Sequence, residues 1–243
     1  KTEDGGISYT KIDGAPNGND LLFLDSLVGF IGSNTIYKTT DGGNNWYAVN
    51  GVPGGVGKIF FVNFQVGWAV GGGNIYKTTD GGENWALNFN APGSISFTNI
   101  HFVDTLYGWT ANINGRPFKT TDGGLNWIQQ TNLDIWQSLD VFFKDYLKGF
   151  LLESNKLYRT TNGGITFNLM PDITGFSIAG RLSIYSDSTI FITGYKTYRS
   201  IDEGLSWLDF NELTGIRING LSLLGMANGF AVGELGLVLK YFD

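Results

Sequence analysis

Apolar and polar residues alternate along this chain in short bursts of four to six, rich in Val, Ile, Phe, Tyr and Trp and bounded by Gly, Asn and Asp. Such bursts are strand signals, and no stretch carries a helical period of useful length. The bursts recur. Ile36–Trp46 reads IYKTTDGGNNW and returns as IYKTTDGGENW at Ile75–Trp85, PFKTTDGGLNW at Pro117–Trp127, LYRTTNGGITF at Leu157–Phe167 and TYRSIDEGLSW at Thr197–Trp207. The chain opens inside a copy, KTEDGGISY (Lys1–Tyr9), and closes inside another, VLKYFD (Val238–Asp243). A second row of eleven residues runs upstream at the same spacing, from DLLFLDSLVGF (Asp20–Phe30) and KIFFVNFQVGW (Lys58–Trp68) to GLSLLGMANGF (Gly220–Phe230).

The period is about forty residues, and six units fit the chain. In the second unit the pattern predicts strands at Lys58–Val62, Gly67–Val70, Ile75–Thr78 and Trp85–Leu87, here termed A to D. Four strands in a repeat of ~40 residues describe a propeller blade. The expected fold is therefore all-β: one domain over residues 1–243, a six-bladed β-propeller of four-stranded antiparallel blades. The last unit has strands A to C but no D, and Tyr9–Ile12 match a strand D without a blade. One blade is thus expected to be closed by both chain termini, which would remove exposed sheet edges.

Each copy of the first row fits [ST]-x-D-x-G-x-x-[WFY] on the turn from C to D. A carboxylate there accepts backbone N–H groups ahead of it, glycine allows a positive φ, and the aromatic anchors strand D. The positions are Asp4, Gly6 and Tyr9; Asp41, Gly43 and Trp46; Asp80, Gly82 and Trp85; Asp122, Gly124 and Trp127; Asn162, Gly164 and Phe167; and Asp202, Gly204 and Trp207. Asn162 keeps an acceptor without the charge, and Glu203 replaces the first glycine while the second is kept in all six. This variation fits a framework role rather than catalysis or calcium, which needs several converging oxygens.

These residues resemble the Asp box, or bacterial neuraminidase repeat, of sialidases, sortilin-like receptors and some plant-polysaccharide hydrolases. The longer stretch Gly67–Trp85 looks most like the photosystem II stability and assembly factor family and its bacterial relatives, many of them exported. The resemblance spans essentially the whole chain and implies a propeller. For function it implies hydrolases, receptors and scaffolds alike. A sialidase would need three arginines, a tyrosine–glutamate pair and an acid. Of the five arginines, Arg159 and Arg199 align with Lys38, Lys77 and Lys119, leaving Arg116, Arg181 and Arg217. Arg116-Pro117 leads straight into a strand rather than occupying the place of the family's Arg-x-Pro motif.

Composition narrows the choice further. A net charge of −6 speaks against nucleic acid, and the absence of cysteine removes disulfides, thiolate metal sites and a cysteine nucleophile. The lone His101 stands where other units have Leu22, Phe60 and Phe142, a packing position. No apolar run reaches membrane-span length. A glycosidase would need two nearby carboxylates; Asp20 and Asp140 at the starts of strand A could face a shared channel, but they stand three blades apart in six-fold order and the sequence leaves their separation open.

Candidate binding residues are those the repeat leaves unexplained. D–A and B–C loops are expected to share one face. Trp136 alone of the seven tryptophans falls outside the two rows, next to Asp134 in the loop Thr131–Leu139. The starts of strand A, Asp20, Lys58, Asn99, Asp140 and Arg181, would line a rim, with Arg116 and Arg217 extending it. The expectation is a non-catalytic binding or scaffold module for an unidentified protein or, alternatively, a lectin-like glycan binder, with a sialidase-like hydrolase third. No cofactor, metal, nucleic acid or membrane span is expected. The resemblance implies export to a periplasm or exterior, as a monomer or a module of a larger protein.

Overall fold

The computed structural model describes all residues except 134, 136, 155, 172–179, 187, 210–215, 226–227 and 243. Its contacts divide the chain into two compact units, Lys1–Gln129 and Gln130–Asp243. The first unit holds three antiparallel sheets in chain order. Blade 1 is β1 (Asp20–Phe23), β2 (Gly29–Gly32), β3 (Ile36–Thr39) and β4 (Tyr47–Ala48). Blade 2 is β5 (Lys58–Phe61), β6 (Gly67–Gly71), β7 (Asn74–Thr78) and β8 (Ala86–Asn90). Blade 3 is β9 (Phe97–Phe102), β10 (Gly108–Asn112), β11 (Gly115–Thr120) and β12 (Ile128–Gln129).

The second unit repeats the plan. Blade 4 is β13 (Asp140–Phe143), β14 (Gly149–Glu153), β15 (Lys156–Thr160) and β16 (Asn168–Leu169). Blade 5 is β17 (Arg181–Ile184), β18 (Ile190–Thr193), β19 (Tyr198–Ser200) and β20 (Leu208–Asp209). Blade 6 has three strands among the described residues: β21 (Ile218–Gly225), β22 (Asn228–Gly233) and β23 (Val238–Phe242). Tyr9–Ile12, the expected closing strand, lies in no described strand, so that closure is not among the observed pairings. The six sheets are the blades of a six-bladed β-propeller.

Burial explains the sequence pattern. The second strand of a blade is covered on both faces: every residue of β6, β10 and β14 is buried. Strands in that position read as unbroken apolar runs rather than as alternations. The fourth strands β4, β12, β16 and β20 are two exposed residues each, short edges that resist pairing with other chains. Within the first unit, blades stack through aromatic rings. Phe61 lies on Phe30 at 4.7 Å, and Phe102 lies on Trp68 at 3.5 Å.

That stacking also fixes a glycine. The glycine that opens β6 and β10 lies under the phenylalanine that ends the strand before it. A Cβ on Gly67 would stand 2.8 Å from the Phe61 ring, and one on Gly108 would stand 2.4 Å from Phe102. A glycine faces the ring wherever strand A ends in phenylalanine; in blade 5, where Ile184 takes that place, Ile190 faces it.

Candidate functional site

The repeated C–D turn is a hydrogen-bonded cage built by its own sequence. In blade 2 the Thr78 hydroxyl donates to Asp80 Oδ1 at 2.8 Å and accepts the Gly82 N–H at 2.9 Å. Asp80 Oδ1 accepts the Asn84 N–H at 3.0 Å, and Oδ2 accepts the Asn84 side-chain amide at 2.8 Å. The Trp85 indole N–H closes the turn on the Gly82 carbonyl at 3.2 Å. The carboxylate and hydroxyl bonds recur at Asp4, Asp41, Asp122 and Asp202 with Ser or Asn as the closing side chain, and the indole bond recurs at Trp46 and Trp207. In blade 4 the amide of Asn162 does the same work, accepting from Thr160 and from the Thr166 N–H, both at 3.0 Å, and donating to the Thr166 hydroxyl at 2.8 Å.

These bonds hold the carboxylates ionised. The Asn45 side chain and N–H, with Thr39, pull Asp41 down to about 2. Asp80 falls to about 2 through Asn84, Asp122 to about 2 through Asn126, and Asp202 to about 2 through Ser206. A carboxylate that stays charged throughout and points into its own backbone neither donates nor exchanges a proton near neutrality. Each of these carboxylates is spent on holding its own turn.

One point differs from the sequence expectation. The turn needs two left-handed residues in succession, not one. The first glycine has φ near 70° in five copies (Gly5 69°, Gly42 71°, Gly81 72°, Gly123 73°, Gly163 72°), and Glu203 takes φ 59° in the sixth. The second lies further out, from 79° at Gly82 to 93° at Gly124. A side chain is tolerated near +60° but not beyond it, which is why the first position accepts glutamate and the second stays glycine. Asp25, Asn63, Asp104 and Asp145 cap the neighbouring A–B turns by accepting two backbone N–H groups each, at 2.6–2.9 Å.

A cation on strand C ties three of the turns to the blade before them. Lys38 Nζ reaches the Gly81 carbonyl at 2.8 Å and Glu83 at 2.6 Å, and Lys77 Nζ reaches the Gly123 carbonyl at 2.9 Å. Arg159 pairs with Glu203. These groups lie over aromatic rings of their own blades, Lys77 at 5.1 Å from Trp68 and Arg199 at 5.8 Å from Phe191.

The rim candidates Asp20 and Asp140 bond across blade boundaries. Asp20 is held by blade 2. Its Oδ2 accepts the Ile59 N–H of the next blade at 2.8 Å, and its Oδ1 pairs with Lys58 Nζ at 3.0 Å. Asp140, buried, accepts the Leu182 N–H at 2.8 Å and its own Val141 N–H at 2.9 Å. Both are ties between the first strands of adjacent blades. Asn99 and Arg181 are half-buried. Arg116 is half-buried at the head of β11, and Arg217 sits 3.9 Å from Glu234. His101 is half-buried with its ring 4.9 Å from Phe60, a packed residue. Asp134 and Trp136 lie outside the described residues; Leu133, Ile135 and Ser138 are buried.

The loop end is a real feature of the first unit. D–A loops bond to B–C turns: Ala91 N–H to the Gly73 carbonyl at 2.8 Å, Phe97 N–H to Gly72 at 2.7 Å and Ile113 N–H to Ser96 at 2.9 Å. No Asp, Glu, Lys or Arg occurs in Val49–Gly57, Ala91–Ser96 or the turns Ser33–Thr35, Gly72–Gly73 and Ile113–Gly115. In the second unit, sequence reasoning missed Glu153, buried at the end of β14 and accepting the Tyr158 hydroxyl at 2.9 Å. Ser154 beside it has φ 35°. The available signal was Glu153 itself, a charge where blade 2 has Gly71 and blade 3 has Asn112. Among the described residues no cluster of three metal-ligating side chains forms, and no helix is long and apolar enough to cross a membrane.

No family model and no curated protein matches the chain. Solved structures do. YCF48 from Cyanidioschyzon merolae is similar at 15% identity and TM-score 0.59, over 91% of this chain and 94% of its own. The WD40 β-propeller domain of Doa1 is similar at 13% identity and TM-score 0.71, over 89% of this chain and 74% of its own. An ancestral GH74 enzyme gives TM-score 0.68 at 14% identity, with 96% of this chain matching 39% of that one. At such identities the likeness is one of fold, and the fold it shows is the β-propeller.

Proposed function

We propose that this chain is an exported, non-catalytic propeller that binds a protein partner at the loop end, where D–A loops and B–C turns meet. One observation carries the reading: the D–A loops Val49–Gly57 and Ala91–Ser96 and the B–C turns Ser33–Thr35, Gly72–Gly73 and Ile113–Gly115 hold no Asp, Glu, Lys or Arg, whereas the C–D turns of the same blades carry Asp41, Asp80, Glu83 and Asp122. Interface cores are depleted of charge because charged groups are costly to desolvate. Exposed Asn34, Ser94 and Asn114 offer amide and hydroxyl groups that both donate and accept, which suits the backbone of a partner. Pro53 and Pro92, with the loop-to-turn bonds above, hold the surface in place before the partner arrives and lower the ordering cost.

Glycan binding is the second reading and rests on Trp136 as a stacking ring. A hydrolase would need two carboxylates able to exchange protons, and Asp20 and Asp140 are each committed to a neighbouring blade's backbone. A paired pull-down and glycan array on wild type, Ile113→Asp and Trp136→Ala decides between these. Protein capture lost in Ile113→Asp supports the proposal. Glycan binding lost in Trp136→Ala replaces it with the lectin reading, and binding untouched by either substitution moves the site off this end.

A further inference from the structure

Asparagine followed by glycine is the pair most prone to lose its side-chain amide, because no side chain on the glycine obstructs the approach of its nitrogen to the asparagine Cγ. The chain has six such pairs, beginning at Asn17, Asn50, Asn114, Asn162, Asn219 and Asn228. The fold restrains four of them. Asn162 donates its amide to the Thr166 hydroxyl at 2.8 Å, and the nitrogen that would attack it, that of Gly163, donates its own proton to the Leu147 carbonyl at 2.7 Å. The Asn114 amide donates to the Ser94 carbonyl, and Gly115 pairs with Asn112 across the turn. Asn219–Gly220 and Asn228–Gly229 lie inside β21 and β22.

Asn50–Gly51 has neither restraint. Asn50 is exposed, and among the described residues neither its amide nor the Gly51 N–H is hydrogen-bonded. What is held is the main chain around the pair. The Val49 N–H bonds the Ile36 carbonyl at 3.0 Å, and the Thr35 hydroxyl bonds the Val52 carbonyl at 3.1 Å. The Asn50 carbonyl itself accepts the Trp85 N–H at 3.1 Å, joining blade 1 to blade 2. Gly51 has φ 90°, and a Cβ on it would overlap the Trp85 carbonyl oxygen, so no other residue fits after Asn50. Packing therefore enforces the reactive neighbour. Asn17–Gly18 is open in the same way, but neither residue bonds another blade.

We propose that Asn50 is a site of spontaneous self-modification that ages the joint between blades 1 and 2. The Gly51 nitrogen attacks the Asn50 Cγ, a C–N bond forms, and the Cγ–Nδ2 bond breaks. Ammonia leaves with the proton that Gly51 gives up. Water then opens the cyclic imide and returns a proton to the nitrogen. Opening at Cγ gives aspartate on an unchanged main chain. Opening at the main-chain carbonyl gives isoaspartate, which lengthens the chain by a methylene beside the Trp85 carbonyl and puts a carboxylate where the Trp85 N–H had its acceptor. Either product places a charge in the D–A loop Val49–Gly57, which has none. Its effect on a partner rests on the binding reading above; the reaction does not.

Peptide mass mapping of folded wild type, incubated at mildly alkaline pH, tests this. The Asn50 peptide should convert about tenfold faster than those of Asn114 and Asn162, the factor supplied by a hydrogen bond that must open first. In urea the three rates should converge. Aged wild type should label with isoaspartyl methyltransferase at position 50 and melt in two transitions. Asn50→Ser keeps the main chain, lacks the amide, and should melt in one transition after the same incubation. Equal rates for the three pairs in the folded chain overturn the proposal, as does an Asn50 that stays intact while the unfolded chain converts. Stability lost equally by wild type and Asn50→Ser overturns the role of the joint. No partner enters these readouts, so their failure is distinct from failure of the binding reading.

Discussion

The two ends of a blade obey different rules. At the turn end six copies of one sequence build the same cage, and the polar atoms of that cage meet backbone. At the loop end the described turns of blades 2 and 3 differ: Gly71–Asn74 turns on φ 55° at Gly72 and Asn112–Gly115 on φ 154° at Gly115. Where one residue must satisfy several backbone groups, only one solution fits and it recurs. Where the chain merely has to return, many solutions fit, and composition is left open to a partner.

The sharpest way to break this contrast is to place the same substitution at both ends. Gly82→Ala combines φ 79° with a Cβ 2.5 Å from the Phe30 ring. It should cost about 2–4 kcal/mol by urea unfolding. Gly72→Ala has φ 55° and nothing within 4 Å of its Cβ, and should cost about 1 kcal/mol. Equal costs would mean that packing does not distinguish the two ends.

Hydroxyl deletion gives the next largest effect. Thr78→Ala leaves the buried Gly82 N–H unmatched and removes a partner of Asp80, at about 1–3 kcal/mol. Thr35→Ala at the loop end loses one bond, to the Val52 carbonyl, at about 0.5–1.5 kcal/mol. The same urea titration reads both.

Acid sharpens the comparison in another direction. Asp41, Asp80, Asp122 and Asp202 sit at about 2 in the folded chain, below the ordinary carboxylate value of about 3.9. Their contribution is complete above pH ~4 and is lost as pH falls through ~2, because protons then bind the unfolded chain more tightly. Asp80→Asn should flatten the loss of stability across that window, since Asn162 shows that an amide fits the cage. A melting temperature with the same pH slope in wild type and variant would remove the carboxylates from the account. Smallest of all, Asn114→Ala, exposed in a loop-end turn, should shift stability by no more than about 0.5 kcal/mol in the same melts.

The strands were legible because their pattern is local. Lys58–Val62 and Gly67–Val70 are seen as Lys58–Phe61 and Gly67–Gly71, differing only at their ends. The rim was not legible, because what Asp20 and Asp140 do is decided across a blade boundary. Their partners Ile59 and Leu182 lie 39 and 42 residues away, one full repeat. A motif read within its own repeat cannot show a bond made to the next. Glu203 hid a second requirement of the turn for a related reason: near φ 60° a side chain survives, so substitution masks the constraint. Glu153 carried a signal only as a charge at a position otherwise held by small or amide residues.

The reach of Lys38 into the Gly81 carbonyl has a consequence for how the molecule comes apart. A turn in one blade is closed partly by a group anchored in another, so opening either blade strips a contact from both. Amide protons in adjacent cages should then exchange with solvent as pairs rather than singly. The array behaves as a one-dimensional lattice with nearest-neighbour coupling, in which damage spreads by one repeat at a time.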